Sequence, residues 1–178
     1  MNPVAMKMIR IIFLGFLPLL LISSASKDVE LSTLVLNGTY ILDVEENQHH
    51  QLLGDIGFSL STEISSKGTY FNVLKLHFNG DGAVLPHHME VVVCKENKTD
   101  ALPLEIYKVK AIESFLNPAN GVFGAYSSDV FGEKLFFTKG GSIRITHYSN
   151  TSVKGTLSLM LVNQKGETIR VKGDFDAI

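Results

Sequence analysis

From Val29 to Ile178 the chain alternates apolar and polar side chains with a period of two, and it has no long stretch with apolar residues every three to four positions. That period belongs to a strand with one face turned to a core and one to water. Strands running parallel need crossover helices, which the pattern does not supply, so the sheet must be antiparallel. The alternation places strands near residues 29–36, 39–44, 57–64, 70–78, 89–95, 104–110, 122–126, 134–138, 142–148, 153–162 and 168–177. Turn signals stand between them: "NG" at Asn37, "NGDG" from Asn79, "NPANG" from Asn117 and "KGG" from Lys139. The expected fold is all-β, an antiparallel β-sandwich of about ten short strands. A lipocalin-like closed barrel is the alternative that the same periodicity allows. One segment departs from the pattern: Ile112, Phe115 and Leu116 are spaced for a helix face ahead of Pro118. It reads either as one short helix near residues 111–116 or as a continuation of the strand before it.

Ahead of the strands the chain has the physics of an export signal. Lys7 and Arg10 give a positive start, "IIFLGFLPLLLI" is uncharged and apolar, and "SSAS" offers small residues for cleavage, expected after Ala25. The apolar run, residues 11–22, is shorter than the roughly 20 residues of a spanning helix and is broken by Pro18, so no transmembrane anchor is expected after cleavage. No cysteine follows the run that could carry a lipid. Residues 1–25 are therefore expected to be a signal peptide and 26–178 a single β-rich domain of about 150 residues, secreted or periplasmic. Its one cysteine, Cys94, lies in "MEVVVCKE" and reads as a small core residue. The net charge is −2 with basic residues scattered along the chain, which lacks the footprint of a nucleic-acid binder. Sequons at Asn37, Asn97 and Asn150 mark sites open to glycosylation in a eukaryotic secretory chain.

Histidine is the first place to look for chemistry, because His49-His50 and His87-His88 are adjacent pairs and His77 and His147 stand near strand ends. Neighbours on a strand point to opposite faces, so a pair supplies two metal ligands only from a loop. "VLPHHME" is the segment that could be one, making His87 and His88 weak metal candidates, although the spacing of a zinc site is missing. "NGDG" offers one aspartate where a calcium loop needs several oxygen ligands, and Asp174 with Asp176 reads as a solvated strand face. There is no GxSxG elbow and no phosphate-binding glycine fingerprint, so no catalytic residue and no cofactor is expected. "VFGAYSSDVFG" is the most unusual stretch. Tyr126, Ser127, Ser128 and Asp129 form a candidate binding loop there, the plainer reading being a hairpin whose aromatics pack inward. The function expected is non-enzymatic, either binding of a protein or glycan partner or service as a cell-envelope component. The alternatives are a carrier of a small apolar ligand in a barrel and a metal-assisted hydrolase using His87 and His88.

The closing segment "VKGTLSLMLVNQKGETIRVKGDFDAI", with "GVFGAYSSDVFGEKLFFTKGGSIRIT" and the export signal, resembles a group of poorly characterised exported proteins of Bacteroidetes. The matching positions are Gly155, Thr156, Ser158, Gly166, Gly173, Phe175 and Asp176. The resemblance implies an exported β domain and brings no catalytic residues. In the same segment Leu157, Leu159 and Leu161 share one strand face and Ile169, Val171 and Phe175 another. A hairpin across "NQKG" would direct both rows to one core and leave Thr168, Arg170, Lys172, Asp174 and Asp176 to water.

Overall fold

Alternation this regular produces nine antiparallel strands among the described residues of the computed structural model, which are 38–45, 49–65, 67–80, 86–96, 102–110, 120–128 and 134–178. The strands are β1 (Gly38–Glu45), β2 (His49–Ile64), β3 (Tyr70–Asn79), β4 (His87–Glu96), β5 (Ile106–Lys108), β6 (Gly121–Ser128), β7 (Lys134–Tyr148), β8 (Val153–Asn163) and β9 (Thr168–Ala177). The expected export signal, the strand at 29–36, the helix near 111–116, Asn37, Asn97 and Asp129 lie outside the described residues.

Each strand pairs with the next in a meander, with β4 passing to β6 and β8 to β9. β9 then pairs along β1 from Thr39↔Asp176 to Glu45↔Arg170. That last pairing joins the two ends of the sheet. The result is a closed barrel of eight strands, with the short β5 lying against the second half of β7, where β6 has already left it. The sandwich expectation is thus corrected in favour of the barrel. A sandwich leaves edge strands with unpaired N–H and C=O groups, whereas closure removes the edges, and inward–outward alternation is the same in both.

The inward rows are mainly apolar. Leu42, Ile56, Leu74, Leu76, Phe136, Ile143, Leu159, Leu161 and Ile169 are 0–1% exposed, so side chains fill the barrel axis. An eight-stranded barrel has an interior of about this capacity. The outward rows carry the charge, as in the cross-strand ion pairs of Lys154 with Asp176 and Lys172 with Glu45, each at 2.6 Å. This polarity is the reverse of a membrane-spanning barrel, whose lipid-facing side is apolar. Outside β3, β4 and β6 a smaller apolar cluster holds Phe71, Val73 and Cys94. Burial pushes the Cys94 thiol up to about 11, so it is protonated at neutral pH, as a core residue should be.

Two expectations about local structure change. "KGG" is not a hairpin turn, because β7 runs through it, paired with β8 on both sides and bulged between Thr138 and Gly140. Gly141 has φ 103°, and a Cβ there would lie 2.1 Å from the Ser158 carbonyl oxygen, so only glycine lets β7 bend this close to β8. β2 also begins earlier than expected, at His49, because Leu53 faces outward at 49% exposure and Gly54 interrupts the apolar row. The terminal hairpin is as read from the sequence: Leu157, Leu159, Leu161, Ile169, Val171 and Phe175 are all buried. Asn163 shapes its turn, its side-chain oxygen accepting from the backbone N–H groups of Lys165 and Glu167.

Phe175 lies edge-on to Phe78, with ring centroids 5.9 Å apart, in the closing strand itself. Phe175→Ala is therefore expected to lower stability in urea unfolding by about 3–5 kcal/mol, whereas Asp174→Ala on the outward row should change it by less than about 0.5 kcal/mol.

Candidate functional site

Three places in the barrel combine polar groups with unusual burial or exposure. The first is inside, towards the end where β1, β3, β6 and β8 finish. Pro86 precedes β4, and the alternation that sends Met89, Val91 and Val93 inward sends His87 inward too, to 2% exposure. Its Nε2 shares a short hydrogen bond with the Tyr40 hydroxyl, reaching from β4 to β1. Gly54 and Gly80 make the room. A Cβ at 80 would stand 2.2 Å from the imidazole, and one at 54 would stand 2.6 Å from the Tyr40 oxygen. Around the pair stand Phe78, edge-on to Tyr40 at 5.2 Å, and Tyr126, 6.4 Å from the imidazole. Ser128 donates to the Pro86 carbonyl at 3.0 Å. Burial, then the neighbouring Tyr126 and Asp55, drive the Tyr40 phenol well above its usual range. Burial raises the Tyr126 phenol too, opposed by its hydrogen bond with Ser128. Both phenols are neutral at any physiological pH. This cluster is a hydrogen-bonded plug, closed to solvent.

The second place is the opposite mouth. There the β2–β3 hairpin overhangs the barrel, and its inward row runs out of core to cover. Leu60, Thr62 and Asn72 line a cleft of about 240 Å³ together with Leu102, Tyr148 and Asn150. Leu102 is buried in the core beneath, and Tyr148 packs against that core. Further along the same hairpin face, the cross-strand partners Ile64 and Tyr70 are 59% and 53% exposed. On the side where β4 ends, Lys95 pairs with Glu105 at 2.5 Å and holds its ammonium 5.9 Å from the Tyr107 ring centre. Tyr107 donates to the Pro103 carbonyl at 2.5 Å, and burial raises its phenol well above the usual range.

The third place is a trench of about 360 Å³ on the outer wall, along β6, bordered by His77, His88, Glu90 and Leu135. His77 and Glu90 face each other across β3 and β4, with Nδ1 and Oε2 3.4 Å apart.

The sequence-predicted residues divide among these places. His87 and His88 are strand residues, so His87 enters the core and His88 the outer trench, and they cannot share a metal. His49 pairs with Asp43 at 3.6 Å on another part of the wall and His147 is exposed near the end of β7, so of the histidines only His77 and His88, among the described residues, share a trench. Among the described residues no three His, Cys, Asp or Glu side chains come together as metal ligands. Tyr126, Ser127 and Ser128 complete β6 instead of forming a loop: Tyr126 and Ser128 turn inward, and Ser127 borders the trench. Tyr40, Gly54 and Gly80 were not singled out by the sequence, nor were the residues of the mouth apart from Asn150, which stood out only as a sequon. The phase of "HHMEVVVC" is the signal that would have sent His87 inward. No protein-family model, curated protein or solved structure matches this chain.

Three buried phenols make alkaline stability a test. The folded values of Tyr40, Tyr107 and Tyr126 lie above the ordinary value near 10, so their contribution is complete below about pH 10 and is lost as pH rises towards the folded values. Absorbance titration at the tyrosinate band should show these three ionising only with unfolding, and Tyr40→Phe should reduce the loss above about pH 10.

Proposed function

We propose that this chain is an exported, non-enzymatic β-barrel protein that takes a small apolar ligand at the barrel mouth beneath the β2–β3 hairpin. The observation that supports this reading is the inward row of the β2–β3 hairpin. Lower in the barrel, the same row is buried at Ile56, Leu74 and Leu76, yet Leu60 borders the cleft at 36% exposure, and Ile64 and Tyr70, further along the same hairpin face, stand 59% and 53% exposed. Fully covering one large apolar side chain is worth about 1.5–3 kcal/mol, so a ligand seated there gains from several at once. Thr62, Asn72 and Asn150 supply polar atoms at the cleft to orient one end of it. The filled axis favours a ligand held at the mouth, with its apolar part under the hairpin, over one swallowed along the barrel. Its size follows from the cleft: about 240 Å³ is below the ~300–1,000 Å³ of drug-sized sites. Export is supported by the charged start, apolar run and small-residue cleavage site of residues 1–25.

Titration with N-phenyl-1-naphthylamine, a compact probe whose fluorescence rises in an apolar site, tests the proposal. Saturable binding is expected, displaced by a saturated fatty acid and weakened at least about tenfold by Leu60→Asp or Tyr70→Asp. Absence of saturable binding, or equal weakening by Leu135→Asp on the outer wall, would overturn it.

A further inference from the structure

The outer trench has a composition that the mouth lacks. β6 contributes Ala125 and Ser127, two short outward side chains lying between longer neighbours on both sides. The register puts Glu90 and Phe137 on either side of Ala125, and His88 and Leu135 on either side of Ser127. β3 deepens the first wall with His77 opposite Glu90 and Asn79 opposite His88. The walls therefore differ in kind. One offers two imidazoles, a carboxamide and a carboxylate. The other offers Leu135, 48% exposed, and beyond the trench lining on the same outward row stands Phe137, opposite Ala125 and 39% exposed. Two interstrand spacings, about 9–10 Å, separate the walls.

We infer that this trench is a second binding site, for one ring of a neutral sugar. A pyranose has hydroxyls around its rim and an apolar C–H face, the same division of polarity as the two walls. The Glu90 carboxylate accepts two hydrogen bonds, and Asn79 and the imidazoles both donate and accept, which suits vicinal hydroxyls, while Leu135 with Phe137 suits the C–H face. Glu90 is half-exposed beside His77 and gives the site a negative carboxylate, which repels an anionic ligand. The short floor residues are essential, because a larger side chain at 125 or 127 would fill the space a ring needs.

The test is a backbone amide NMR titration of the whole purified protein with methyl glucoside, methyl galactoside and methyl mannoside, and with n-butylamine as a cationic probe. At least one glycoside should give saturable shifts confined to amides of β3, β4, β6 and β7 around the trench, with millimolar affinity. Ser127→Trp, which fills the floor from outside the barrel, should reduce the affinity at least about tenfold with no change in the melting temperature, and Glu90→Ala should weaken it as well. The inference is overturned if no glycoside gives saturable shifts, if the shifts map elsewhere, if Ser127→Trp binds as well as the parent chain, or if butylamine alone binds beside Glu90.

Discussion

The pairing of β9 with β1 is the contact on which the barrel depends. All other barrel pairings link strands that follow one another along the meander, the longest step being from β4 past β5 to β6, but this one joins residues 39–45 to 170–176. Glycine permits the approach: a Cβ on Gly173 would lie 2.1 Å from the Ile41 carbonyl oxygen. Two other observations support the same seam. Lys172 and Glu45 pair across it at 2.6 Å, and Phe175 reaches Phe78, which stands edge-on to Tyr40. An exposed ion pair of this kind contributes little, so apolar burial and the backbone ladder carry the seam. Without them the sheet would present two open edges, which soluble proteins avoid.

Closure decides where ligands can go. With the axis filled, the remaining places are the mouths and the outer wall, and the two mouths are unlike. Towards one, Tyr40 and His87 are hydrogen-bonded in space cleared by two glycines, so polar groups are satisfied inside an otherwise apolar barrel. Towards the other, the β2–β3 hairpin outruns the core and keeps apolar side chains in water. The first arrangement satisfies polar groups within the packing, and the second is the place we propose for a ligand.

Much of the architecture was legible. Alternation gave the strands, their antiparallel sense and the inward rows, down to Leu157, Val171 and Phe175. Closure was not legible, because it depends on whether strand nine meets strand one, and periodicity says nothing about partners so far apart. "KGG" misled for a related reason: glycines serve turns and bulges alike, and only the Ser158 carbonyl across the ladder distinguishes the two. The site residues were legible singly and not as sets. His88 and Ser127 border one trench, yet they lie 39 residues apart and meet through the β4–β6 register. In "EKLFF" apolar residues occupy both strand faces, so sequence cannot tell that Leu135 faces out while Phe136 faces in.

The most direct test of the account is the set of interstrand backbone NOEs between β1 and β9. Closure predicts a continuous antiparallel ladder in the register Tyr40↔Phe175, Leu42↔Gly173 and Val44↔Val171, with slow amide exchange on both strands. A ladder absent between residues 39–45 and 170–176, with the amides on those two edges exchanging freely, would contradict it.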